Sequence, residues 1–227
     1  MQHIKGNLCD MLINECFISF QGEFPAGIPA YFIRLQGCNR ACSFCDTRYA
    51  QSLEGGTTES CDDLIDAICE SGLQDVVITG GEPLLQIEEL TQLINKLIYY
   101  GLHIWIETNG DFYREVQPKH AEMLVRSNIT FIVSPKDIKV ADWWIRHPVI
   151  IKFVVPNVLD IAEFVNWFNQ IDKCCRIEAK ILLMPLTDPD EEPIKVMKKQ
   201  EKLIASILES GLPFGFAPRM QKVLNFR

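Results

Sequence analysis

The sequence predicts an α/β fold: a partial, incomplete TIM-type barrel of about six parallel strands with helices on the outside. Three observations carry this. From Ala30 onward, short apolar runs alternate with amphipathic stretches of helical period, a pattern that builds a parallel sheet covered by helices. The 227 residues fall short of the roughly 250 of a full eight-unit barrel. No linker or internal repeat divides the chain. One domain over residues 1–227 is therefore expected, with 1–29 as an N-terminal extension, 30–216 as the partial barrel and 217–227 as a C-terminal tail.

The predicted strands are 30–35, 75–79, 103–107, 130–133, 149–155, 179–184 and 213–216. Helices are expected over 60–71, 87–100, 118–125, 158–168 and 193–210. In the first, Cys61, Leu64, Ile65, Ile68 and Cys69 recur on one face. The second carries Leu90, Leu93, Ile94, Leu97 and Ile98 at three- and four-residue spacing. The last follows an acidic entry at Asp188, Asp190, Glu191 and Glu192, has Pro193 for its first turn, and stops at Gly211.

Composition narrows the classes of function. Hydrophobic residues make up 48% and charged residues 23%, which excludes disorder and fibrous repeats. The run 149–155 is broken by Lys152 and is far shorter than the roughly 18 residues of a membrane span, so no membrane partner is expected. A net charge of −8 disfavours a nucleic-acid footprint and points to a small-molecule partner. The opening Met1-Gln2-His3-Ile4-Lys5 does not read as a secretory signal, and a reducing cytoplasm is the expected address.

In that setting nine cysteines, an odd number, point to metal or redox chemistry. Cys61 and Cys69 read as buried thiols on their helix face, and Cys174 and Cys175 as loop residues. Cys9 and Cys16 stand alone near the start and remain possible extra ligands. Cys38, Cys42 and Cys45 differ, because C-x3-C-x2-C directly after a predicted strand lets three thiolates face one metal centre. Structural zinc closes with four ligands, and no second pair supplies the fourth. An iron-sulfur cluster held by three thiolates keeps one iron open to an exogenous ligand. His3, His103, His120 and His147 have no ligand spacing.

This loop, with aromatic Phe44 before its last cysteine, resembles the radical S-adenosylmethionine superfamily. So does Thr79-Gly80-Gly81-Glu82-Pro83 after the predicted strand 75–79, which is similar to that superfamily's GGEP motif. The segments Ile13-Asn14-Glu15, Phe20-Gln21-Gly22-Glu23, 30–34 and Cys45-Asp46-Thr47 resemble, more narrowly, the 7-carboxy-7-deazaguanine synthase family, an early step of queuosine and 7-deazapurine biosynthesis.

The resemblance implies a 4Fe-4S cluster on Cys38, Cys42 and Cys45. It implies S-adenosylmethionine at Phe44, Cys45, Asp46, Gly81, Glu107, Ser134, Pro135 and Lys136, with Glu107 toward the ribose. Thr47 would hold Mg2+, and Phe20, Gln21, Gly22, Arg34 and Thr79 would bind the substrate, 6-carboxy-5,6,7,8-tetrahydropterin. The residues 1–29 would lie on the substrate side. In the implied reaction a 5'-deoxyadenosyl radical removes hydrogen from C6, the ring contracts to 7-carboxy-7-deazaguanine, and ammonia leaves. An electron donor such as flavodoxin or ferredoxin and a homodimer are the family expectations, and no acid-base triad is expected.

Three places depart from the family pattern: Phe24 ends Gln21-Gly22-Glu23-Phe24 where glycine is usual, Arg219 and Gln221 stand in place of glutamine and histidine, and Met184 replaces glutamine. Two alternatives stay open: a related radical enzyme with another pterin or purine substrate, and a zinc-stabilised binding module.

Overall fold

The computed structural model describes residues 9–112, 126–173, 176–188 and 190–226. The helix expected over 118–125 and the Cys174-Cys175 pair lie outside the described residues. Among the described residues nine strands form one sheet: β1 (Asp10–Phe20), β2 (Pro29–Leu35), β3 (Thr57–Ser60), β4 (Asp75–Gly80), β5 (His103–Thr108), β6 (Ile129–Val133), β7 (Ile150–Val155), β8 (Lys180–Pro185) and β9 (Gly215–Phe216). Their order is β3-β1-β2-β4-β5-β6-β7-β8-β9, and the run from β2 to β9 is parallel throughout. The first and last strands do not pair, so the barrel stays open.

Among the described residues six α-helices accompany the sheet: α1 (Cys61–Ser71), α2 (Ile87–Tyr99), α3 (Asp142–Ile145), α4 (Ala162–Asp172), α5 (Pro193–Ser210) and α6 (Met220–Leu224). Their ends follow local chemistry. The Ser60 hydroxyl accepts from Asp63 N–H to cap α1, and Gly72 closes it in the left-handed region at φ +71°. Pro193 opens α5, and Gly211 ends it at φ +65°.

Every strand expected from the sequence is present, with β9 trimmed to two residues. The additions are β1 and β3: β1 pairs antiparallel with β2 and with β3 and widens the sheet at one edge. A bulge between Ile13 and Glu15 shifts its register, so the alternation that marks a strand breaks in the middle. The same pairing sets Asp10 opposite Ser60 and brings Cys9 to Cys61. These two form a disulfide, correcting the reading of Cys61 as a free buried thiol. Cys69 is exposed rather than buried. Eight residues at about 100° each carry it about 80° around the helix from Cys61.

Successive side chains of a strand point to opposite faces. On β7, Ile151, Phe153 and Val155 enter the main core with Phe164 and Phe168 of α4, while Ile150 joins a second cluster on the other face. On β2, Ile33 and Leu35 take the helix side and Phe32 the other. The inner parity therefore runs through Arg34, Thr79, Glu107, Lys152 and Met184, close to the strand C-termini. Ala30, Phe32, Val77, Ile132, Ile150 and Leu182 make the lower inner face apolar.

Candidate active site

Arg34, Thr79, Glu107, Lys152 and Met184 surround a cavity of about 260 Å³ at the C-terminal ends of the parallel strands, where β/α folds carry their chemistry. Cys38, Cys42 and Cys45 line its rim, all three unbonded. Burial pushes the Cys38 thiol up, and Cys42 and Cys45 lie near enough to act electrostatically on it. The loop carrying them is tied to its neighbours. Cys38 N–H donates to Gln51 O at 2.9 Å, and Cys45 N–H to Cys42 O at 3.2 Å. Arg40 grips Asp111 through two nitrogens at 2.6 and 2.7 Å. Asn39 donates to the same carboxylate at 2.7 Å and accepts from Asn109 at 2.8 Å.

The Gly80-Gly81 pair passes directly against the start of this loop. A Cβ on Gly81 would lie 2.0 Å from Gly37 O, and Gly80 has φ +134°, where side chains are disfavoured. Glu82 N–H donates to Gly37 O at 2.8 Å. The buried Glu82 carboxylate accepts from Thr108 Oγ1 at 2.6 Å, Asn109 N–H at 2.7 Å and Leu84 N–H at 3.0 Å. Burial raises its pKa against those three donors, which lower it. Glu82 thus fastens the end of β4 to the end of β5.

Of the residues expected in the site, Phe20, Gln21, Gly22, Arg34 and Thr79 all line the cavity. So do Phe44, Cys45, Asp46, Thr47, Gly81, Glu107, Ser134 and Lys136. Pro135 lines a smaller neighbouring hollow with Lys136 and Asp137. Arg34 Nε donates to Glu15 at 2.9 Å, with its guanidinium 5.7 Å from the Phe17 ring centroid and 5.9 Å from that of Tyr49. Glu107 accepts from Thr79 Oγ1 at 2.9 Å and Gln21 Nε2 at 3.1 Å, so its carboxylate sits between two residues expected to meet the substrate. Thr47 Oγ1 is 3.5 Å from Cys45 Sγ.

Sequence reasoning missed a buried charge cluster in the same cavity. Glu23 is paired with Lys152 and with Arg219 Nη1 at 2.6 Å, and accepts from Gln221 Nε2 at 3.2 Å. Burial alone would raise the Glu23 carboxyl. Lys152 and Arg219 outweigh it and hold the pKa at about 2. Arg219 Nη2 also reaches Asp46 at 3.0 Å, tying the C-terminal tail to the residue after Cys45. The signal for Lys152 was a lone cation inside the apolar run 149–155, on the parity that faces the cavity. Its partner, 129 positions away, carried none.

A parallel sheet with an open barrel, three thiols on the loop after β2 and a glycine pair crossing them define a radical S-adenosylmethionine protein. Residues 32–139 match the Radical SAM superfamily model. Over 93% of its length this chain is 36% identical to 7-carboxy-7-deazaguanine synthase from Hyperthermus butylicus, covering 91% of that protein. It is 34% identical to the Aquifex aeolicus protein of the same name, covering 85% of each chain. The crystal structure of QueE from Escherichia coli superposes with a TM-score of 0.64 at 25% identity, covering 93% of this chain and 94% of that one. The chain belongs to the 7-carboxy-7-deazaguanine synthase family.

Membership of the superfamily implies a 4Fe-4S cluster and S-adenosylmethionine, and the residues present fit them. Three unbonded thiols face one cavity, and the glycine crossing keeps side chains out of the space beside them. No trio of His, Cys, Asp or Glu among the described residues is set for a single metal ion. Among the described residues no helix is long and apolar enough to cross a membrane.

Proposed function

We propose that this protein converts 6-carboxy-5,6,7,8-tetrahydropterin to 7-carboxy-7-deazaguanine and ammonia. The observation that carries the reading is one polar ring, Arg34, Thr79, Glu107 and Lys152, set around a cavity whose rim holds the three cluster cysteines. When bound, the cluster and S-adenosylmethionine supply the one-electron chemistry that begins the ring contraction.

The chain's own residues bind, orient and exclude water. Arg34, fixed by Glu15 and flanked by two rings, takes the substrate carboxylate. Glu107, supported by Gln21 and Thr79, offers an acceptor to the ribose hydroxyls of S-adenosylmethionine. Phe20 and Gly22 complete the wall that meets the substrate. The Phe44 to Asp46 backbone, Gly81, Ser134 and Lys136 hold S-adenosylmethionine, with Pro135 fixing the turn between the last two. Thr47 and the substrate's oxygens hold Mg2+, which prefers hard oxygen ligands. A single domain over 1–227, a homodimer, a flavodoxin or ferredoxin donor and a cytoplasmic address belong to the same proposal.

The test is anaerobic reconstitution followed by mass spectrometry of the products. About four irons with matching sulfide per chain, and the deazapurine formed from the tetrahydropterin, are expected. A fully loaded protein that forms no deazapurine refutes the assignment, and turnover of a different pterin or purine would replace it.

A further inference from the structure

Arg34 is held by neighbours from two segments of the chain. Glu15 lies directly opposite it in the β1–β2 register, where an unbroken register would put Asn14, because the bulge between Ile13 and Glu15 re-aims the strand. Glu15 Oε1 accepts from Arg34 Nε at 2.9 Å and from the Tyr49 hydroxyl at 3.2 Å. The Phe17 and Tyr49 ring centroids lie 5.7 and 5.9 Å from the guanidinium carbon. The two terminal nitrogens of Arg34 have no protein partner among the described residues and are not closed off, so the fork is left for a ligand in the cavity that Arg34 lines.

We infer that Tyr49 is a positioning residue for the substrate carboxylate, acting through Glu15 and Arg34. This inference rests on the pterin reading. Tyr49 is 57% exposed, so core packing does not fix its ring; the Glu15 carboxylate and the Arg34 cation do. An arginine left free loses rotamer freedom when it closes on a carboxylate, and one held in advance loses little. The signature of such a residue is lost affinity with the chemistry unchanged.

Tyr49 also ties the arginine to the cysteine loop. It stands in the short turn Arg48–Ala50 that follows the loop. Ala50 O accepts from Gly37 N–H at 2.8 Å, Gln51 O accepts from Cys38 N–H at 2.9 Å, and Ala50 N–H donates to Thr47 O at 3.0 Å, so the turn is bonded to both ends of the loop. A substrate gripped by Arg34 is thereby placed in register with the backbone that carries Cys38, Cys42 and Cys45.

The test compares wild type, Tyr49→Phe, Tyr49→Ala, Arg34→Lys and the double variant Tyr49→Ala/Arg34→Lys as reconstituted holoenzymes. Unreduced protein is titrated calorimetrically with S-adenosylmethionine and then with 6-carboxypterin, reduced protein is assayed with the tetrahydropterin, and thermal midpoints are recorded. Tyr49→Ala should raise the 6-carboxypterin Kd and the KM about five- to thirtyfold, with kcat within about twofold. Tyr49→Phe keeps the ring and should raise both about two- to fivefold. The S-adenosylmethionine affinity and the midpoint should stay at wild-type values, and in the Arg34→Lys background Tyr49→Ala should cost less than about twofold. Wild type that binds and turns over the pterin, with Tyr49→Ala within about twofold of it in Kd and KM, overturns the inference alone. An equal loss of S-adenosylmethionine affinity also overturns it, since Tyr49 would then prop the cysteine loop, and so does full additivity with Arg34→Lys. Wild type that neither binds nor turns over the pterin overturns the proposed function and this inference with it.

Discussion

Lys152→Met tests the buried charge cluster. Lys152 is 4% exposed and pairs with Glu23 from the middle of β7. Holding Glu23 at about 2 instead of 4.5 corresponds to about 3 kcal/mol in favour of its charged form, and this remains after burial has opposed it. Methionine keeps the length of the lysine stem and removes the charge. Glu23 then retains Arg219 at 2.6 Å and Gln221 at 3.2 Å. A loss of about 3 kcal/mol is expected, as for other buried pairs stripped of one partner. Adding Glu23→Gln removes the orphaned charge and should restore about 1–2 kcal/mol, leaving Arg219 to Asp46. Because the folded pKa of Glu23 lies below the unfolded one, its contribution is present above about pH 4.5 and fades as the pH falls toward about 2. Urea unfolding of cluster-free protein at pH 7, and in steps down to pH 3, measures both effects. A cost under about 1 kcal/mol for Lys152→Met, or strict additivity in the double variant, would refute the reasoning.

Three further outcomes follow from the same geometry. Gly81→Ala should cost more than about 3 kcal/mol, since a Cβ 2.0 Å from Gly37 O requires backbone to move; a lower thermal midpoint and fewer irons per chain after reconstitution would register it. Glu82→Gln should cost less than about 1 kcal/mol at pH 4, because the raised pKa leaves the wild-type carboxyl protonated there and the amide matches the neutral acid in shape. Its raised pKa means that the wild type's stability from this group is full below about pH 4.5 and declines as pH rises through the folded value, so thermal melts of the variant should lack that decline. Asp111→Asn breaks the two-point grip on Arg40 at a third-exposed site, costing about 1 kcal/mol or less in stability, yet iron should pass to a chelator several-fold faster; an unchanged release rate would remove the grip's role in holding the loop.

β2 and β4 to β8 were legible because each is a short apolar run bounded by turn residues, and runs buried on both faces need no partner information to be recognised, while the polar four-residue β3 was not. β1 was not, since its bulge at Asn14 reverses the parity halfway and its partners lie across an antiparallel edge. The cluster loop and the glycine pair were visible because their spacing is local. Glu23, Lys152, Arg219 and Asp46 were separately visible as charges, but their pairing joins residues up to 196 positions apart and exists only once the sheet has closed around them. Arg219 was noticed as a departure at a family position, and its role came from Glu23 and Asp46, which no local pattern connects to it.

The crossing of Gly81 over Gly37 sets a length standard inside the protein. Two main chains meet there with no side chain between them, so the separation of the cysteine loop from the end of β4 is fixed by the radii of backbone atoms. Substitutions elsewhere can reshape the wall that meets the substrate while that separation stays constant. The far wall of the cavity can therefore change in residue type while the gap between the cysteine loop and the end of β4 keeps one width.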